Sequence, residues 1–108
     1  MSGNKVFADT NILLYFLKGE REIVEMISDK DVVISFITEL ELLSFSKVLP
    51  ESEETIKGLL RNCLIVDLNQ EIKDLTIEFR KKSKLKLPDS IIIASSYSRK
   101  LFGTNSGK

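Results

Sequence analysis

The chain has 108 residues, 43% of them hydrophobic and 30% charged, and its sixteen basic residues balance sixteen acidic ones. That is enough for one domain with a real core and too little for two, and a net charge of zero does not announce a nucleic-acid binder, so any electrostatic footprint must be local. Histidine is absent and Cys63 is the only cysteine, which excludes an internal disulfide, a Cys/His zinc site and every histidine-based triad.

Lys5–Ala8 reads as a short buried strand that breaks into the polar triplet Asp9-Thr10-Asn11. Ile12–Leu17 resumes as a helical stretch that stops near Gly19, and Arg21–Ser28 places Ile23, Val24 and Ile27 at helical spacing. Asp31–Ser35, a β-branched run, is the second strand; Ile37–Leu49 is helical and ends at Pro50. An acidic helix start at Glu51–Thr55 leads to Leu59 and Leu60, and Leu64–Val66 is the third strand. Gln70–Lys84 carries Ile72, Leu75, Thr76 and Phe79 on one face. Asp89–Lys100 is apolar nearly all round at Ile91–Ala94, which predicts a buried helix, and Leu101–Thr104 reads as a last short strand. Short apolar strands alternating with helices predict an α/β sandwich on a mostly parallel sheet. No apolar run reaches the ~18–20 residues of a membrane span, and no signal-peptide core precedes the first strand. A cytoplasmic protein without membrane contact is the expectation.

Three acids stand where the chain enters a helix, and each has an ordinary reading beside a chemical one. Asp9 follows the first strand, where Asp is a favoured helix N-cap. The triplet is richer than one cap requires. In Ser35–Phe45 the acids are Glu39 and Glu41. At ~100° per residue Glu41 falls among Ile37, Phe45 and Val48, whereas Glu39 falls toward Ser46, so Glu41 is the inward acid. Thr38 and Glu41 also have capping-box spacing. Asp89 follows Pro88 ahead of an apolar run, an ordinary N-terminus signal. In an open parallel sheet, however, such places gather at the carboxyl edge, where ligands bind. Three carboxylates converging without a cationic partner repel, and a divalent cation resolves that repulsion. Mg²⁺ takes oxygen ligands, activates water and stabilises charge building on a phosphoryl group.

With those blocks in order along the chain, the sequence resembles the PIN domain, and within it the VapC-type toxins of toxin–antitoxin pairs. VFADTNILLYFL resembles the family's opening strand and Asp-Thr-Asn, and ISFITELELLSF its second block, with the acid three residues after Thr38. LPDSIIIASSY resembles the third block, with Asp89 in the acid's place, and LFGTN the last strand and the Thr before a final acid. The resemblance implies a single PIN-like domain over residues 1–108, a three-layer α/β/α sandwich with a short, mostly parallel central sheet. It implies a Mg²⁺- or Mn²⁺-dependent endoribonuclease in which Asp9, Glu41 and Asp89 hold the metal. An RNA substrate, a cognate antitoxin protein and a homodimer follow as partners. Thr10 and Asn11 are placed to orient Asp9 or a metal-bound water, with Thr104 and Asn105 in support at the far end. The pattern departs at Ser106, which stands where the family places its last acid, and the chain reads as shortened there. Three acids in place of four imply weaker metal binding.

Arg80, Lys81, Lys82 and Lys84 form a local basic cluster. Its ordinary reading is a solvated helix C-terminus, where cations complement the dipole, and its second is contact with an RNA backbone. Cys63 reads as a small core residue, and Tyr15 and Phe16 as packing or dimer contacts. Haloacid-dehalogenase phosphatases also begin with an Asp after a first strand, but need a second Asp where this chain has Asn11. The alternative kept open is a degenerate PIN domain that binds RNA or a protein without cleaving.

Overall fold

The computed structural model describes residues 4–45 and 53–98. The elements in chain order are β1 (Lys5–Phe7), α1 (Thr10–Leu17), α2 (Arg21–Ile27), β2 (Asp31–Ser35), α3 (Phe36–Ser44), α4 (Glu53–Arg61), β3 (Leu64–Val66), α5 (Gln70–Lys82) and α6 (Leu87–Ser96). Among the described residues the sheet has three strands in the order β1-β2-β3, all parallel. Val6 pairs with Val32 and Phe7 with Val33, while Ile34 pairs with Ile65 and Ser35 with Val66.

Side chains alternate across a strand, and here the alternation sorts the core into two layers. Ile34 packs with Leu13, Ile27, Leu42, Ile56 and Leu60 from α1 to α4, and Val6, Val32 and Ile65 lie against that cluster. Val33 and Val66 point the other way, onto Ile72 of α5 and Ala94 of α6, with Phe7, Leu75, Phe79 and Ile91 around them. Leu13, Val33, Ile34, Leu42, Ile56 and Ile72 are completely buried. The architecture is therefore the three-layer α/β/α sandwich with a short parallel sheet that the sequence predicts.

Local chemistry explains the boundaries. Asp9 caps α1, its carboxylate accepting from the amide of Ile12 at 2.9 Å. The helix ends in a Schellman motif: Gly19, at φ +80°, donates to the carbonyl of Phe16, and Glu20 donates to that of Tyr15. Only glycine takes that φ without strain. Asn69 caps α5 through the amide of Ile72.

Three helix starts differ from the sequence reading. α1 begins at Thr10, two residues before Ile12, directly after its cap Asp9. α3 begins at Phe36, directly after the last strand residue, with Ser35 as its cap accepting from the amide of Ile37 at 3.1 Å. Thr38 therefore lies inside the helix and does not open a capping box. α6 begins at Leu87, with Pro88 and Asp89 in its first turn and Lys86 at the N-cap. Asp89 is thus a first-turn acid and not the cap. Nor is α6 buried all round: Ser90, Ala94 and Ser95 are buried, whereas Ile91, Ile92 and Ile93 are half-buried. The expected strand Leu101–Thr104, and with it Thr104, Asn105 and Ser106, lies outside the described residues, as does the predicted helix end at Pro50.

Candidate active site at the carboxyl edge

The parallel strands deliver their carboxyl ends to one edge, and α3 crosses it, packing against α1 and α4 as well as α6. Asp9 stands two residues beyond β1 and is exposed. One of its oxygens accepts from the amide of Ile12, and the second has no hydrogen-bond partner among the described residues. Its charge lies at the amino end of α1, where the helix dipole favours an anion.

The next residue makes the connection to α3. Thr10 is buried, and its Oγ1 lies 2.5 Å from Oε1 of Glu41 and 3.0 Å from Oγ1 of Thr38. A hydroxyl has one hydrogen to donate. The shorter, charge-assisted bond takes it, so Thr10 donates to the Glu41 carboxylate and accepts from Thr38. This chain of three side chains spans 28 to 31 residues of sequence and locks α1 to α3. Glu41 is half-buried, and among the described residues its other oxygen has no hydrogen-bond partner. Glu39 is half-buried too, so exposure does not separate the two acids; the bond to Thr10 does. Thr38, which the sequence offers only as a cap, is the member of this network that sequence reasoning missed. The signal was present in its polarity at a position that the helical period turns toward the sheet.

Asn11 is exposed in the first turn of α1. Asp89 is exposed in the first turn of α6, and no hydrogen bond or ion pair ties its carboxylate among the described residues. α6 itself is anchored where β2 ends: Ser95 donates to the carbonyl of Ile91 at 2.8 Å, and its Oγ lies 3.2 Å from that of Ser35. The structure thus joins Thr10, Thr38 and Glu41, with Asp9 next to Thr10 in the chain. It does not gather three acids: among the described residues no group of three or more His, Cys, Asp or Glu side chains is disposed to hold a metal ion.

The donor chemistry nevertheless fits a hard divalent cation. The groups on offer are carboxylate oxygens, one backed by the Thr10 hydroxyl and one by the Ile12 amide, and Mg²⁺ is usually held through one or two carboxylates with water completing its shell. Soft-metal chemistry has no ligands here, because the one cysteine, Cys63, is half-buried among residues of α4 and the first core, where its thiol donates to the carbonyl of Leu59.

The comparisons with known proteins agree with this frame. Residues 6–102 match the family model of the PIN domain. A solved structure, a toxin–antitoxin complex from Klebsiella pneumoniae, contains a chain that is 31% identical and superposes with a TM-score of 0.76. The match covers 85% of this chain and 78% of that one. No curated protein matches the sequence.

Proposed function

This chain belongs to the PIN-domain family, and from that premise we propose that it is a VapC-type toxin, a divalent-metal-dependent endoribonuclease inhibited by a cognate antitoxin. The observation that carries the reading is the bond from Thr10 to Glu41. It joins the first two family blocks at the sheet edge and fixes one carboxylate beside the residue that follows Asp9.

Asp9 and Glu41 would hold the ion, with Asp89 contributing from α6 and Asn11 orienting bound water. A bound Mg²⁺ or Mn²⁺ supplies water activation and stabilises the charge that builds on the phosphoryl oxygens. The protein's own residues do the positioning. Thr10 fixes the rotamer of Glu41, Thr38 fixes Thr10, and the Ile12 amide fixes Asp9, so two carboxylates are oriented before any ligand arrives. Arg80, Lys81, Lys82 and Lys84 supply contacts to the RNA backbone, and Thr104 and Asn105 support the site from the far end. The similar solved structure, a toxin–antitoxin complex, supports an antitoxin partner. A homodimer in the cytoplasm completes the reading, and among the described residues no helix is long and apolar enough to cross a membrane.

The test is cleavage of a structured RNA with Mg²⁺ or Mn²⁺, in EDTA, and with Asp9→Asn. Asn keeps the cap but removes the charge, so the expected result is a folded protein without cleavage. Equal cleavage by the variant, or full activity in EDTA, overturns the mechanism. A second reading, binding without cleavage, is favoured by the lack of a three-acid group among the described residues. A wild-type chain that binds RNA and leaves it intact with either metal selects it.

A further inference from the structure

Away from Asp9 and Glu41, the turn between α5 and α6 borders an open cleft of about 480 Å³. Its lining is part cationic, with Arg80, Lys81 and Lys84, and part apolar, with Ile77, Leu85 and Leu87. Ile77 and Leu87 are large hydrophobic residues left half exposed, at 53% and 51%. Thr76 lies at the floor, almost fully buried, and its hydroxyl is the one buried side-chain oxygen or nitrogen without a hydrogen-bond partner among the described residues.

The charge of this segment exceeds what a helix end requires. Residues 80–86 hold five of the sixteen cations and none of the sixteen acids, so the rest of a neutral chain carries a net charge of −5. A helix C-terminus offers only about half a negative charge. Arg80 is already engaged, donating to the carbonyl of Leu85 at 2.7 Å and thereby bracing the turn. Lys82 reaches Glu78 at 4.0 Å. Lys81 and Lys84 have no ion pair among the described residues, and both line the cleft. Two ammonium groups without an ion pair among the described residues, set beside apolar side chains, match a molecule that carries both a phosphate and a flat, weakly polar ring. Leu87 and Asp89 share the first turn of α6, so one helix end carries both a residue of the cleft and the acid proposed for catalysis.

We propose that this cleft is a subsite for one nucleotide of the RNA flanking the cleaved bond. Lys81 and Lys84 take its phosphate, and Ile77, Leu85 and Leu87 receive its unstacked base. Arg80 is the positioning residue that holds the turn open. The assignment rests on the nuclease reading, and deepens it by saying which part of the strand this side of the site grips. A base in the cleft is out of its stack, so the flanking nucleotide must be unpaired. An acidic peptide would satisfy the lysines but would leave the apolar side chains without a ring to cover.

The experiment is fluorescence anisotropy of the full chain in EDTA with a labelled oligouridine, the same strand made abasic, and polyglutamate as competitor. Lys81→Ala with Lys84→Ala should weaken oligouridine binding about tenfold and flatten its salt dependence by about 0.7 for each phosphate no longer neutralised. Ile77→Ala should weaken oligouridine several-fold and leave the abasic strand unchanged, because only the base meets that side chain. All three side chains are exposed, and circular dichroism checks that the variants fold. Equal losses on both strands for Ile77→Ala, or no loss for the lysine pair, overturn the subsite. So does polyglutamate displacing the strand as well as unlabelled RNA does, which would assign the cleft to an acidic protein segment. A chain that binds in this pattern yet never cuts RNA refutes the nuclease reading and keeps the subsite; one that cuts RNA with unchanged KM in the lysine variant does the reverse.

Discussion

Glu41 and Asp89 are both acids on helices that pack against each other, yet the structure treats them in opposite ways. Glu41 is half-buried and held by Thr10, which Thr38 holds in turn. Asp89 is exposed, with only its place in the first turn of α6 to define it. A carboxylate fixed by hydroxyls has one orientation to offer and loses little freedom when it binds. An exposed one must lose rotamer freedom on binding, at a cost of up to about 1–2 kcal/mol for a long side chain and less for Asp. On the nuclease reading, the contrast separates an acid whose orientation is prepared from one that a ligand must organise.

Replacing Glu41 by Gln is the strongest way to break that contrast. Gln fills the same space and its amide oxygen still accepts from Thr10, so stability should change by less than about 1 kcal/mol. Cleavage should fall by at least about a hundredfold, because a cation loses a charged ligand that was already oriented. RNA cleavage and urea unfolding on one preparation decide it; a large stability loss with intact cleavage would make Glu41 structural.

Thr10→Val comes next. It leaves the Thr38 hydroxyl without its acceptor and the Glu41 carboxylate without its donor, which should cost about 1–3 kcal/mol in unfolding free energy. Cleavage should drop about 10–100-fold by loss of orientation alone, and Thr10→Ser should restore most of it. If Ser restores nothing, the hydroxyl network is not what positions Glu41.

Asp89→Asn sharpens the other side. No bond is broken and a favourable charge at a helix amino end is lost, so stability should fall by only about 0.3–1 kcal/mol. The expected signature is a raised metal requirement, read as the Mn²⁺ concentration for half-maximal cleavage. An unchanged requirement would remove Asp89 from the site.

The smallest effect lies outside both regions. Burial pushes the Cys63 thiol above its ordinary range. The folded chain keeps that proton while the unfolded chain has begun to lose it, so stability is intact below the ordinary thiol range and declines as pH rises through it toward the raised value. Unfolding curves at neutral and alkaline pH should show a slight decline that Cys63→Ala abolishes. Identical pH dependence in both chains would dismiss it.

The sequence is most readable where one signal acts alone. β2 and β3 have the predicted limits, and β1 ends one residue early. Asp9 caps α1 because, of the two residues between β1 and α1, it alone has a side chain that can accept the amide. The start of α3 is ambiguous because two caps compete. Ser35 belongs to the strand, yet its extended backbone, at φ −78° and ψ 152°, is also that of an N-cap. One residue does both jobs, and Thr38 is released to the interior. The start of α6 is misread because Pro88 looks like a residue outside the helix, although proline fits a helix's first turn without losing a bond. Its predicted burial fails for a different reason. A run of isoleucines states what could be buried, but the neighbours on β2, α3 and α5 decide how much is. The Thr10–Glu41 bond is legible only as two separate motifs, since nothing local ties positions 31 residues apart.

The junction at Ser35 has a consequence for how this domain can change. With no loop between β2 and α3, the rotational phase of the helix is set by the last pleat of the strand. One inserted residue would turn every following side chain by about 100° and carry Glu41 away from Thr10. A loop there would have absorbed such an insertion; this junction transmits it whole. Length variation in relatives should therefore be excluded from this junction and gather in connections that leave the phase of α3 untouched.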